Sequence, residues 1–518
     1  MMRLRSLPQR LLQRLPQLSG QLSGQLSGQL FGPRSGPLSG DVHGATASEI
    51  ARAFEDLWTR EPALRPRPEM HDYQLTYPPA VQIQIPAHAR APSDRAFVDH
   101  AVGDFKAAGY YFHFGFCEYR CRYCFHYELT TKRRDERMAR YVDAMTREMA
   151  RFRQLAPALR TGLYFLGGGT PTALPAALLD RFLGKLLGCF GPPPTQLSTV
   201  EAKPITATEE KLALLVQAGF RRINLGVQTL DPELYGFHHQ NEDLQIAYEA
   251  IARARQIGFE YVNIDLMTGL ERQTPASWDK TLTALERLAT SGAIDSVFLY
   301  PFHDDPRSRT YEKRAVVPSF HETAHSDATM RALMERLGWK ELGARFYRSP
   351  RHVRREILEL ARTRINPAYG EVLYHGFGNS SFSIGDRATY LNHRDLEVYC
   401  DAVEAGGLGI GHWTELDDSQ RATRDVTFDL LYSPFTRVRS RTKKYGRAAM
   451  AGHAQKLARW VELGLGEESR LLGTFALTAF GKLVHQQMIP QHYLARDRQA
   501  FEVVMEQRKV AGKAYRGY

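Results

Sequence analysis

Apolar positions along the chain fall into two alternating rhythms. Six short, nearly continuous apolar runs read as strands: "YYFHFGF", "TGLYFLGG", "STVEAK", "RINLGVQ", "YVNIDLMTG" and "SVFLYPF", starting near residues 110, 161, 198, 222, 261 and 296. Between them lie stretches with helical spacing. In "NEDLQIAYEAIARARQIGF", Leu244, Ala247, Tyr248, Ile251 and Ala254 share one face, and Gly258 closes the helix. "TATEEKLALLVQAGF" opens on Thr206 or Thr208 as cap and ends at Gly219. Strand–helix repetition of this kind calls for right-handed crossovers and a parallel sheet covered on both faces. Polar residues recur at the strand C-terminal ends, at Glu201, Gln228, Asp265 and His303. That rim is where barrels carry their chemistry, so the expected fold is α/β, a closed or three-quarter barrel of six strand–helix units.

The rest of the pattern sets expected boundaries. Residues 1–62 read as a disordered, low-complexity extension: "QLSGQLSGQLSG" repeats every four residues, and Gly, Ser, Gln and Pro bury too little surface to offset ordering entropy. Within it, 46–62 carries the pattern of one short helix. The opening "MMRLRSLPQRLLQRL" superficially suits a transit peptide, and a mis-assigned start codon accounts for it equally well. Residues 63–105 read as an extended, Pro-rich arm and 106–335 as the barrel. Residues 336–518 read as a C-terminal α+β domain, with a polar helix in "RSPRHVRREILELARTR" and a winged-helix-like element near the end.

Composition narrows the picture. No run of about 18 apolar residues occurs, so no membrane span is expected. Net charge is +11, spread over amphipathic helices and densest in "SRTKKYGR" from Ser440. A solvated face accounts for it, and nucleic-acid binding is not expected. Five cysteines exclude a disulfide scaffold and suit a reducing, cytoplasmic setting. Three of them, Cys117, Cys121 and Cys124, fall within eight positions. Cys189 and Cys400 read as core residues. Thiolates spaced C-x3-C-x2-C hold three corners of a 4Fe–4S cubane and leave one iron open. Zinc is the competing reading, and it wants a fourth ligand that the chain does not offer as a second Cys/His doublet.

The string Y-x-H-x-x-F-C-x3-C-x-Y-C matches Tyr111, His113, Phe116, Cys117, Cys121, Tyr123 and Cys124. "LYFLGGGTPT", "TVEAKP", "INLGVQTLD", "VNIDLMTGL" and, later, "YLNHRDLEVYCDAVEAGGL" follow in order. Over about 70–490 the chain resembles the radical S-adenosylmethionine (SAM) superfamily, in particular the oxygen-independent coproporphyrinogen III oxidase (HemN-like) family. The resemblance implies a partial (β/α)6 radical SAM barrel with a HemN-like C-terminal domain. It implies a 4Fe–4S cluster on Cys117, Cys121 and Cys124, and SAM chelated at the open iron and cleaved to a 5′-deoxyadenosyl radical. The SAM pocket would be lined by Tyr123, Gly167, Gly168, Gly169, Thr170, Glu201, Gln228, Gln240 and Asp265. Tyr123 would lie beside adenine, Glu201 near the ammonium or ribose, and Asp265 near the ribose.

Tyr111 and His126 are the candidate catalytic residues. His113 has an expected structural role beneath the cluster, and His238–His239 an expected contact to substrate or SAM from a loop. Implied partners are a small-molecule substrate, either a tetrapyrrole or an aromatic natural product, and a reducing donor such as flavodoxin or ferredoxin. The chain departs from the family pattern at three places: His126 where a further Cys is usual, Gln240 where Arg is usual, and Gly115 where Pro is usual. The implied reaction is oxidative decarboxylation of coproporphyrinogen III. The alternatives are methyl transfer or cyclopropanation with a second SAM, and haem binding without turnover as in HemW-type chaperones.

Overall fold

The computed structural model describes residues 46–66, 92–124, 134–302, 308–341, 345–363, 372–433, 435–495, 497–499 and 502–503. His126, His303, the repeat at 17–28 and most of the Pro-rich arm lie outside the described residues.

Strands β1 (Ala107–Phe114), β2 (Arg160–Gly168), β3 (Thr199–Ala202), β4 (Arg222–Gln228), β5 (Tyr261–Thr268) and β6 (Ser296–Pro301) pair in sequence order, all parallel. Helices Arg134–Leu155, Ala176–Phe190, Glu209–Gln217, Gln245–Ile257 and Pro275–Thr290 make the crossovers. Thr208, not Thr206, caps the third of these, accepting from Lys211 N. Among the described residues the barrel does not close. β1 takes β9 (Leu373–Phe377) as its other, parallel neighbour, and β6 takes β8 (Phe346–Arg348) antiparallel. With β7 (Lys340–Glu341), β10 (Phe382–Ile384), β11 (Ala388–Asn392) and β12 (Ile410–Glu415), the sheet has twelve strands among the described residues. The three-quarter barrel read from the pattern is therefore the fold, extended at both open edges.

A boundary at 336 does not separate the cores. One hydrophobic core runs under β1–β6 and takes in Leu373, Phe377, Tyr390, Tyr399 and Ile410 from the C-terminal strands and the helix beside them. A second gathers helices Asp418–Tyr432, Val438–Glu462 and Ala479–Met488 around Phe54 and Trp58 of the helix Ala47–Arg60. Residues 47–60 are thus not part of a structureless extension. Thr46 and Glu49 form a capping box, and the apolar stripe Ile50, Phe54, Leu57 buries against the C-terminal helices. Near the end, the hairpin Gly466–Ser469 with Thr474–Leu477 stands between two helices. In the basic run from Ser440, Arg441 is buried and bonds Asp425 and Asp429, and Lys444 and Tyr445 reach Asp425, while Lys443 and Arg447 are exposed.

Candidate functional site

The cysteine loop leaves the C-terminal end of β1. Gly169 N donates to Phe114 O at 2.7 Å, which pins the start of the loop to the glycine run after β2. Only a residue without Cβ fits there. A Cβ on Gly169 would lie 2.7 Å from Phe116 O and 3.1 Å from Cys117 Sγ. Gly168 has φ +108, and its amide donates to Glu201 Oε2 at 3.2 Å. Thr170 Oγ1 stands 3.3 Å from Cys117 Sγ.

Lys203, just past β3, closes the other side. Its ammonium donates to Cys121 Sγ at 3.1 Å and to Tyr119 O at 3.2 Å, and lies 3.8 Å above the Tyr119 ring. Burial works against its charge, but the thiols of Cys121, then Cys117, outweigh burial and hold its pKa above the usual lysine value. The loop is fastened further out. Arg122, between Cys121 and Cys124, forks onto Glu271 with contacts of 2.8 Å to both carboxylate oxygens. Thr310 donates to the same carboxylate at 3.2 Å and, through its amide, to Arg122 O at 3.2 Å. Arg120 pairs with Glu312 at 3.1 Å.

Tyr123, like Tyr300 and Phe302, packs against the cluster of Leu234, Met267 and Leu270. Its ring centre is 5.9 Å from that of His238 and 6.2 Å from that of His239. His238 ends the helix Pro232–His238 and His239 is its C-cap, so neither lies in an open loop. Both are buried, His238 Nε2 donating to Glu271 O and His239 Nδ1 to Tyr235 O, each at 3.1 Å. Burial lowers their pKa values to about 4 and about 3, so both stay neutral and form the wall behind Tyr123.

Glu201 and Asp265 face the interior of the barrel on β3 and β5. Burial, then the neighbouring Asp265, pushes Glu201 up to about 8. Burial pushes Asp265 up to about 7 against the hydrogen bond from Asn263 (2.7 Å) and the charge of Arg222. Gln228 ends β4 with φ +70 at a register shift, and its Nε2 fills the space over Gly226, 3.0 Å from where a Cβ there would stand. Tyr111 OH is 3.0 Å from His113 Nδ1. His113 lies under Gly168, its pKa lowered to about 4 by burial. Gln240 is exposed in the turn after helix Pro232–His238, with φ +57. Lys203, Glu271 and Thr310 carried no expectation from the sequence. Lys203 sits inside the quoted "TVEAKP", but only the folded loop shows what it touches.

The donor set fits an iron–sulfur cluster. The three cysteines are free of disulfides, Cys117 and Cys121 buried and Cys124 half-buried. A cubane takes one thiolate on each of several irons, whereas a zinc site converges its ligands on one ion. Among the described residues no three His, Cys, Asp or Glu side chains converge in that way. The lysine ammonium amid the thiols suits their ionised, ligating form.

Comparison with known proteins agrees with this geometry. Residues 111–285 match the radical SAM superfamily. The chain is 35% identical over 201 residues to the heme chaperone HemW of Bacillus subtilis, a match covering 37% of this chain and 50% of that one. It is 27% identical over 248 residues to the oxygen-independent coproporphyrinogen III oxidase of Paracoccus denitrificans, covering 47% and 54%. The matched stretch thus spans about half the length of these relatives. The fold superposes on coproporphyrinogen III oxidase (HemN) from Escherichia coli with TM-score 0.65 and 22% identity, over 75% of this chain and 90% of that chain. Residues 111–285 thus match the radical SAM superfamily, and the chain shares the fold of HemN.

Proposed function

We propose that the chain is a radical SAM enzyme acting on a coproporphyrinogen-type tetrapyrrole. The observation that carries this reading is the closure of Gly169 and Lys203 on the loop of Cys117, Cys121 and Cys124. When bound, a 4Fe–4S cluster with SAM supplies one-electron cleavage of the sulfonium and a hydrogen-abstracting carbon radical. The protein's own groups hold and orient. Lys203 steadies Cys121 as a ligand, and the glycine run lets the bound nucleotide's amino-acid end approach the backbone. Burial holds Glu201 (about 8) mostly protonated and Asp265 (about 7) near half-titration at neutral pH; a bound ammonium would draw them to the ionised form, in which they accept from it and from ribose hydroxyls. Tyr123, braced by His238 and His239, offers an apolar face to adenine. Tyr111, hydrogen-bonded to His113, is the candidate group for handling a substrate proton, as His126 is from the sequence.

A planar substrate suits the half-buried aromatic pairs at the two barrel edges. Tyr111 stacks on Tyr374 at one edge (6.2 Å, 23°) and Phe298 on Tyr300 at the other (4.3 Å, 16°). A second reading, haem binding without turnover, is favoured by the resemblance to HemW of Bacillus subtilis.

The experiment is anaerobic incubation of reconstituted protein with reductant, SAM and coproporphyrinogen III. Substrate-dependent 5′-deoxyadenosine with protoporphyrinogen supports the oxidase reading. Stable haem binding with no coupled 5′-deoxyadenosine supports the chaperone reading, and S-adenosylhomocysteine marks methyl transfer.

A further inference from the structure

The short segment after β6 is fastened directly to the cysteine loop. In Arg309–Glu312, Thr310 N donates to Arg122 O at 3.2 Å, with Thr310 Oγ1 3.3 Å from the same oxygen, and Glu312 accepts from Arg120. Lys313 and Arg314 follow within one helical turn, about 5 Å of rise. Arg272, next to Glu271 of the same anchor, lies with its guanidinium 3.9 Å over the Phe237 ring, which Arg122 covers at 4.3 Å. The inner cations are thus spent on Glu271 and Glu312. Among the described residues, Arg272, Arg309, Lys313 and Arg314 have no carboxylate partner. All but Arg309 are exposed, with Glu118 of the loop as an exposed acid nearby and Val316, 89% exposed, beside them.

Backbone geometry adds an independent sign. Arg272 and Arg314 have φ +68 and +50, a region where glycine is far less strained. Each keeps a long cation at a position that local backbone energy would give to glycine.

Resting on the reading of Cys117, Cys121 and Cys124 as a cluster site, we propose that Arg272, Arg309, Lys313 and Arg314 form the docking surface for a small acidic electron-transfer protein. The donor loses one electron and the cluster gains it, with no atoms exchanged. Cations on two segments joined through Glu271 and Thr310, with the exposed Val316 two residues after Arg314, suit a brief, charge-steered encounter of the size that electron-transfer partners make, below about 1,200 Å² in total.

The test compares two reductants by stopped flow on the reconstituted protein: reduced flavodoxin, and reduced methyl viologen, a small cation with no need to dock. Binding of oxidised flavodoxin is measured in parallel by calorimetry. The double change Lys313→Glu, Arg314→Glu is expected to slow flavodoxin reduction and weaken flavodoxin binding about tenfold at low salt, the difference shrinking at high salt. Methyl viologen is expected to reduce both forms within about twofold of each other. Arg314→Gly is expected to slow the flavodoxin reaction while the thermal midpoint stays level or rises, which separates docking from folding. Equal flavodoxin rates and equal binding for wild type and both variants would overturn the proposal. If neither reductant produces a reduced-cluster EPR signal, the cluster reading itself fails, while the flavodoxin binding still reports on the surface.

Discussion

Lys203 and Glu201 lie two positions apart on one strand end and do opposite electrostatic work. Lys203→Met removes the cation that contacts Cys121 Sγ and Tyr119 O. Reconstituted variant protein is expected to hold several-fold less iron and sulfide, read by elemental analysis. Gly169→Ala should act as severely, because its Cβ would stand 2.7 Å from Phe116 O. Glu201 follows a pH rule. Its folded-state pKa, about 8, is raised from 4.5, so folding takes up a proton between those values. Its contribution to stability is full below pH 4.5 and is lost as pH rises through 8. In protein without cofactors, Glu201→Gln is expected to flatten the pH dependence of urea unfolding between pH 5 and 9. The gain over wild type should be greatest at the alkaline end. The carboxylates of β3 and β5 were legible as rim residues because strand periodicity places them there. Their elevated pKa values were not, because those come from burial and from each other across the sheet.

At the scale of elements, helix Arg134–Leu155 is tied to the C-terminal strands by a buried carboxyl. Glu148 accepts from Gly378 N (3.0 Å), Asn392 Nδ2 (2.7 Å) and Tyr399 OH (2.6 Å). Burial pushes its pKa up to about 8. Tyr141 of the same helix donates to His113 O at 2.6 Å, at the foot of the cysteine loop. Glu148→Ala leaves three buried donors without their acceptor and is expected to cost about 3 kcal/mol or more. Tyr399→Phe should cost only about 1 kcal/mol. Chemical denaturation of both variants checks the ratio. The six parallel strands could be read from apolar runs alone, close to their observed bounds. That β9 would add to β1 could not, since a five-residue strand some 260 positions away shows no local sign of its partner.

Over the whole molecule, the two cores join the chain's ends rather than dividing it near 336. Phe54 of the N-terminal helix stacks on Trp58 and meets Phe320 and Phe480 edge-on or tilted, at 4.9–5.5 Å. Phe54→Ala is expected to cost about 3–5 kcal/mol. Thermal unfolding should then show the C-terminal helices loosening. Among the described residues no helix is long and apolar enough to cross a membrane. The net charge of +11 was visible from composition, but its placement was not. Arg441 is spent inside on Asp425 and Asp429, whereas Arg272 and Arg314 remain outside.

The sequence by itself determined the barrel units, the cysteine trio and the glycine-rich wall. Each is written in neighbouring residues whose spacing follows strand or loop geometry. Only the tertiary structure decided that Lys203 meets Cys121, that Glu271 and Thr310 clasp Arg122, and that His238 and His239 turn inward. Those contacts bridge segments up to 188 residues apart. Pairing over such distances is set by how the sheet closes and what it buries, which no local pattern records.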